Sequence, residues 1–236
     1  MANSPSKPKK PRRPKTAVVL LSGGLDSATA LYWAKARGYA LEAVSFHYGQ
    51  RHDREIKSAI RLARRAGARH HESRLPLLGP AAASALTDSR QRLPNLPLKK
   101  IGQGGIPTTY VPARNTMFLA AALSLADAIG AEAIVIGANV LDYSGYPDCR
   151  PAFLKAFEKV ARLGTKSGAE GRRIRILAPL LKLDKAGIVR LARRLGVPLE
   201  LTWSCYNGTK TVCGRCDSCK LRAKGFSDVG VPDPAL

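Results

Sequence analysis

The stretch AVVLLSGGLDS, residues 17 to 27, decides the fold of this chain. Five aliphatic residues in a row, Ala17 to Leu21, read as a buried strand that runs directly into Ser22-Gly23-Gly24, then Leu25-Asp26-Ser27 and a helix. Two glycines let the backbone turn so that several N–H groups converge. The helix N-terminus behind them adds partial positive charge, and together they make a cradle for an anion. Ser22 and Ser27 supply hydroxyl donors, and Asp26 suits a magnesium ion bridging phosphates. The alternative, a plain strand-to-helix turn, fits a bare Gly-Gly better than it fits the whole hexad SGGLDS.

Outward from this stretch, short aliphatic runs alternate with longer amphipathic ones. The pattern predicts a helix over Ser27 to Arg37, a strand over Leu41 to Phe46, a helix over His52 to Ala66 and a strand near His70 to Leu75. It continues with a helix from about Asn115 to Ile129, a strand Ala133 to Ile136, a helix Pro151 to Leu163, a strand Ile174 to Leu177 and a helix Asp184 to Leu195. Such alternation means an α/β fold with a doubly wound parallel sheet, which binds ligands at the carboxyl ends of its strands. One connection, Pro76 to Pro112, is long, holds Gly102, Gly104 and Gly105, and has at most a helical turn near Ala81 to Leu86; loops of that length are usually lids or disordered.

Other phosphate loops are excluded by their missing parts. No G-x-x-x-x-G-K-[ST] occurs, so the lysine of γ-phosphate transfer is lacking, and Gly102-Gln103-Gly104 runs on to Pro107 without completing G-x-G-x-x-G. Kinase and dinucleotide chemistry therefore recede.

The chain has 236 residues, 45% apolar, with 39 Lys and Arg against 17 Asp and Glu, a net charge of +22. That length can bury roughly 70 to 75% of its unfolded surface without disulfides. No apolar run reaches the roughly 18 residues of a spanning helix, and the basic start lacks the apolar core of a secretory signal, so a cytoplasmic protein is expected. Residues 1 to 15 hold six basic side chains and no acid and read as a disordered basic tail. The remaining excess is spread over amphipathic helices, as at Arg61, Arg64, Arg65, Arg190, Arg193 and Arg194, which fits solvated faces before it fits nucleic acid.

Of five cysteines, Cys205, Cys213, Cys216 and Cys219 form C-x7-C-x2-C-x2-C. Four thiolates so spaced can close a tetrahedron, and zinc, one ion per chain, is the expected occupant, with an iron–sulfur cluster the alternative. A filled tetrahedron leaves no open position, so the metal is expected to be structural. Lys210, Arg215, Lys220 and Arg222 are expected to offset the thiolate charge. Cys149 reads as a buried or loop-borne thiol. The expected organisation is a tail (1 to 15), an α/β domain (16 to 202) and a small zinc module without a long helix (203 to 236).

The hexad resembles that of the ATP pyrophosphatase family, in which the loop grips the β- and γ-phosphates while a nucleophile attacks the α-phosphorus. With TTYVPARN at 108 to 115, GANVLDYSGYPDCRP at 137 to 151, LDKAGI at 183 to 188 and WSCYNGTKTVCGRCDSCKLRAKGF at 203 to 226, the likeness narrows. Residues 16 to 236 resemble the 7-cyano-7-deazaguanine synthase family of bacterial queuosine biosynthesis. The resemblance implies an adenine nucleotide alpha hydrolase-like fold and conversion of 7-carboxy-7-deazaguanine, ammonia and ATP to the nitrile through an adenylated acid and an adenylated amide. It implies ATP with Mg2+ on the segment Leu20, Leu21, Ser22, Gly23, Gly24, Leu25, Asp26, Ser27, Ala28, Thr29 and Ala30, and catalytic roles for Asp26, Lys185 and Arg114. Lys185 would reach the phosphates from a helix start, and Arg114 with Asn115 would line the nucleotide or acid site. A solvated lysine, a surface arginine and a helix cap are the respective alternatives. His47 could lie near the adenine or be structural.

Substrate recognition is expected from the loop 142 to 150. Asp142 or Asp148 would accept the ring donors of the base, Tyr143 or Tyr146 would cover its face, and Arg150 or Arg114 would take its carboxylate. The alternative is a tight turn set by Gly145 and Pro147, with Asp148 capping the helix near Pro151. Gly187 departs from the pattern by sitting inside a helix. No amidotransferase fits in this length, so free ammonia is expected, and nucleic acid is not required. The oligomeric state is open, a homodimer among the alternatives. Two rival readings remain: adenylation acting directly on tRNA, favoured by the charge, and a non-catalytic zinc module binding nucleic acid, disfavoured by the few aromatics near the cysteines.

Overall fold

Thr16–Leu20 forms β1, the central strand of a five-stranded, all-parallel sheet of order β3-β2-β1-β4-β5. The computed structural model of the chain describes residues 14–75, 84–139 and 145–235. The other strands are β2 (Ala40–His47), β3 (Arg69–Arg74), β4 (Ala133–Val135) and β5 (Arg175–Leu177). The helices are α1 (Leu25–Ala36), α2 (Arg54–Ala66), α3 (Arg114–Ile129), α4 (Pro151–Leu163), the short α5 (Lys166–Ala169), α6 (Lys185–Arg194) and α7 (Asp217–Ser227).

Alternation along β1 sorts side chains onto two faces, as a period of two requires. Ala17, Val19 and Leu21 enter one apolar cluster with Leu31 of α1, Leu62 of α2, Ile188 of α6 and Phe226 of α7. Val18 and Leu20 enter the other, with Leu119 of α3 and Leu154 and Phe157 of α4. Helices thus cover both faces, which is why β4 is aliphatic throughout and β1 from Ala17 onward, and each fully buried Val or Leu contributes roughly 1.5 to 3 kcal/mol. Glycines stop two of the helices: Gly67 after α2 and Gly130 after α3 take φ of +76° and +68°, the left-handed turn that ends a helix without strain.

Strand order reverses beside β1: the chain goes from β1 out to β2 and β3, then returns to β4 on the other side. Loops leaving β1 and β4 therefore diverge at their carboxyl ends and open a crevice. Gly137, just past β4, faces the start of α1 so closely that a Cβ there would lie 3.0 Å from the Asp26 carbonyl carbon and the Ser27 nitrogen.

Two expectations need correction. The segment after residue 202 does contain a substantial helix, α7, whose Phe226 lies in the same apolar cluster as β1. Arg222 does not sit in solvent offsetting thiolates: it is buried and held by Asp233, with Nε 2.8 Å from Oδ2 and Nη2 2.9 Å from Oδ1. Lys220 instead donates to Asn95 Oδ1 and to the Leu96 carbonyl, at 2.6 and 2.7 Å.

Those contacts belong to the described part of the long connection. Leu96 N donates to Asp217 Oδ1 at 2.7 Å, Arg51 donates to the Asp88 carbonyl at 2.6 Å and also to that of Gln91, and Leu98–Lys100 form one 3-10 turn. Residues 81 to 83 of the expected helical turn lie outside the described residues, as do residues 1 to 13 of the tail. Among the described residues, no helix is long and apolar enough to cross a membrane.

Candidate active site

At the carboxyl end of β1 the loop turns tightly because Gly23 takes φ +91°, and no side chain could stand there: a Cβ would fall 2.1 Å from the Glu55 carbonyl oxygen. The amides of Ser22 and Gly23 both point at Ser27 Oγ, each at 3.2 Å, and Ser22 Oγ lies 3.0 Å from the same atom. Two backbone donors and two hydroxyls thus converge at the N-terminus of α1, which is the chemistry of an oxyanion cradle.

Asp26, in the first turn of α1, joins three distant segments. Its Oδ2 accepts from Lys185 Nζ at 2.5 Å and from Asn139 Nδ2, past β4, at 2.8 Å. Its Oδ1 is buried without a hydrogen-bond partner among the described residues, an arrangement that fits a hard cation. Lys185 starts α6, whose cap is Asp184 Oδ1 accepting from Gly187 N at 2.7 Å. Gly225 lets α7 cross α6 at that point, since a Cβ there would meet Lys185 Cβ at 2.8 Å.

Beside this centre lies a cavity of about 290 Å³. Leu20, Leu21, Ser22, Asp26, Ser27 and Lys185 form one side of it, and Phe46, Tyr48, Arg114, Asn115 and Phe118 another. Phe46 and Phe118 stack at 4.4 Å, and the Arg114 guanidinium lies over Tyr48 and Phe118 at 5.5 and 5.9 Å while Nη1 donates to Tyr48 Oη at 3.3 Å. This wall offers a flat apolar face with a cation at its edge. Arg114 follows Ala113, whose φ of +52° is the left-handed conformation that costs a non-glycine residue about 1 kcal/mol or more.

Other sequence-predicted residues fall elsewhere. Asp148 is buried, and its Oδ2 accepts from Asn115 N at 2.9 Å, so it caps α3 instead of facing the cavity or capping α4. Arg150 is exposed and does not line the cavity. Leu25, Ala28 and Ala30 are buried in the apolar cluster, and Thr29 bonds the Leu25 carbonyl at 2.7 Å. His47 pairs with Glu72 at 2.8 Å on β3, away from the cavity. Asp142 and Tyr143 lie outside the described residues. Tyr146 and Cys149 do line the cavity, with Asn115 Nδ2 donating to Cys149 Sγ at 3.0 Å.

Several lining residues have no counterpart in the sequence expectations, among them Tyr48, Arg51, Glu55 and Phe118. Burial pushes the Glu55 carboxyl up to about 7, against the pull of the Arg114 guanidinium.

The four cysteine sulfurs lie within 4.8 Å of one another, with Cys213 and Cys219 at 4.0 Å. A zinc–sulfur bond of 2.3 Å sets the edge of a tetrahedron at about 3.8 Å, so the set fits that ion. Backbone amides of Asn207 and Cys213 reach Cys205 Sγ at 3.4 Å, and that of Cys216 reaches Cys213 Sγ at 3.4 Å, supporting negative charge on sulfur. Hydrogen bonds from Cys216 and Cys219 hold the Cys205 thiol below its ordinary range, and the contact with Cys205 pushes the other two above it. The cluster is docked onto the segment that leads into α2: His52 Nε2 lies 3.1 Å from the Cys205 carbonyl and Arg54 Nε, at the helix start, donates to that of Gly208 at 3.0 Å. Tyr206, Ser218 and Leu221 from this segment complete the cavity wall.

Comparison with known proteins agrees with this geometry. The family model described as queuosine biosynthesis protein QueC matches residues 16–230. A 7-cyano-7-deazaguanine synthase of Trichormus variabilis is 53% identical over 218 residues, 92% of this chain and 96% of its own length. One of Azotobacter vinelandii is 54% identical over 222 residues, 93% of this chain and 97% of its own. Among solved structures, a 4-thiouridine synthetase in complex with RNA and with bound ATP shares the fold, at TM-score 0.51 and 23% identity, covering 92% of this chain and 50% of that one. A match that spans all five strands and the cysteine cluster, with relatives of the same length at over half identity, places this chain in the QueC family of queuosine biosynthesis proteins.

Proposed function

We propose that this chain is an ATP-dependent carbon–nitrogen ligase that converts 7-carboxy-7-deazaguanine and ammonia to 7-cyano-7-deazaguanine, releasing AMP and pyrophosphate. The observation that carries the reading is the convergence of the Ser22 and Gly23 amides with the Asp26–Lys185 pair at the carboxyl end of β1, in one cavity with Arg114.

A carboxylate resists attack by ammonia because its leaving group would be an oxide. Transfer of its oxygen to the α-phosphorus expels pyrophosphate and gives a mixed anhydride. Ammonia then attacks the carbonyl carbon, AMP leaves with that oxygen, and a proton passes to solvent. The amide oxygen attacks a second α-phosphorus, pyrophosphate leaves again, and loss of AMP and of both protons of the amide nitrogen to solvent gives the nitrile. Neither round needs a covalent bond to the protein, so the chain's work is positioning and charge stabilisation.

Each residue has a place in that work. The amides of Ser22 and Gly23 and the hydroxyls of Ser22 and Ser27 hold the leaving phosphates, with Lys185 adding positive charge beside them. Asp26, through the Oδ1 that has no hydrogen-bond partner among the described residues, would hold Mg2+, which when bound neutralises phosphate charge. Arg114 takes the carboxylate of the base, whose rings lie against Tyr48 and Phe118. Cys205, Cys213, Cys216 and Cys219 would hold one zinc per chain, structural because all four positions are filled by protein.

The substrates are free small molecules, and the reaction asks for neither a membrane nor nucleic acid; the cytoplasm is the compartment that suits reduced cysteines. Incubation with ATP, ammonium and 7-carboxy-7-deazaguanine, followed by mass spectrometry, should yield the nitrile and AMP. Turnover seen only when tRNA is added, with the adenylate on the RNA, would overturn the assignment.

A further inference from the structure

One carboxyl in the cavity wall has no task in the reaction above. Glu55 stands one helical turn before Ala59, on the face of α2 that carries Ala59, Leu62 and Ala66 into the core. Helix register therefore sets a carboxyl at the end of an apolar stripe, and α2 begins where β2 ends, at the ligand edge of the sheet. Among the described residues none donates a hydrogen bond to it; its surroundings act through burial and through the charges of Arg114 and Cys205. A cavity carboxyl without a protein donor is an acceptor held for a ligand.

Resting on the function proposed above, we propose that Glu55 recognises the pyrimidine edge of the base, accepting hydrogen bonds from its ring N1–H and its 2-amino group. Those two donors are parallel and coplanar, which matches the two oxygens of one carboxylate. The other end of the same molecule carries an anion, and Arg114 is the cation in this cavity wall that stands among aromatic rings able to cover the bicycle. Glu55 and Arg114 thus present opposite charge to a ligand that has donors at one end and a carboxylate at the other. The pairing also rejects adenine, present at every turnover as ATP. Its corresponding edge places an acceptor nitrogen beside a single amino group, so a carboxylate there meets a lone pair.

The test compares wild type with Glu55→Gln on two bases, 7-carboxy-7-deazaguanine and the analogue without the 2-amino group, measuring KM for the base, for ATP and for ammonium. Wild type should show at least a tenfold higher KM for the analogue. Glu55→Gln should raise KM for the full base at least thirtyfold, move KM for ATP and ammonium less than threefold, and cost less than fivefold on the analogue. Equal penalties on the two bases, or a rise mainly in KM for ammonium or ATP, would overturn the assignment. So would a wild type indifferent to the 2-amino group, a comparison that needs no variant to fold. A wild type that turns over neither base refutes the proposed function itself, and is thereby distinguished from failure of this assignment alone.

Discussion

Lys185 and Asp26 are 159 residues apart in sequence, and their Nζ and Oδ2 atoms are 2.5 Å apart in space. The pair links the start of α6 to the start of α1, with each side chain about a fifth exposed. It occupies one oxygen of Asp26, with Asn139, and leaves the other oxygen buried without a hydrogen-bond partner among the described residues.

Asp26→Asn keeps the size of the side chain and removes the charge. AMP release should fall at least a thousandfold while the thermal midpoint moves by only a few degrees, because the group is part of the polar centre and not of the apolar core. A variant retaining a tenth of wild-type turnover would remove Asp26 from the reaction.

Asp148→Ala removes the cap that Asn115 N now has, at a cost of about 1 to 2 kcal/mol. Because Arg114 shares that first turn, KM for the carboxylated base should rise several-fold while KM for ATP holds. Urea denaturation and steady-state kinetics read the two effects, and an equal change in both KM values would contradict the positioning role.

Cys216→Ser should release the metal and loosen the wall that Tyr206, Ser218 and Leu221 supply, since metal-site free energy is also folding free energy. The described part of the long connection should loosen with it, as Leu96 and Asn95 are tied to Asp217 and Lys220. Elemental analysis with hydrogen exchange over residues 84 to 112 decides this; one zinc per chain retained with unchanged exchange would contradict the four-thiolate site.

How far the sequence carries can be read residue by residue. Strand, glycine turn and helix are local features, so residues 17 to 27 specify both the sheet and the cradle, and the cysteine spacing specifies its own cluster. Asp148 was ambiguous because its partner, Asn115, is 33 residues away, and nothing local distinguishes a cap for α3 from a cap for α4. α7 is hard to read in the sequence because DSCKLRAKGFS mixes metal ligands with Gly225, whose reason is the crossing against Lys185. Glu55 occupies a helix's first turn, where the dipole favours an acid whatever its task. The legible signal was its spacing from Ala59, Leu62 and Ala66, which puts it on the apolar face.

Burial sets a pH dependence through Glu55. Its folded pKa of about 7 exceeds the ordinary 4.5, so the folded state binds this proton more tightly than the unfolded chain does. The contribution to stability is fully present below pH 4.5 and is lost as pH rises through 7, by at most about 3 kcal/mol. Glu55→Gln, measured without substrates, should therefore be more stable than wild type at pH 8, with the gap closing by pH 5. Urea midpoints that differ by the same amount at both pH values would contradict it.

Attack on the α-phosphorus by both oxygens of the acid is tested most directly by isotope tracing. With 7-carboxy-7-deazaguanine labelled with 18O at both carboxylate oxygens, unlabelled ATP and ammonium, two singly labelled AMP molecules are expected for each nitrile formed, with no label in pyrophosphate. Label appearing in inorganic phosphate or water, with unlabelled AMP, would contradict the proposed chemistry.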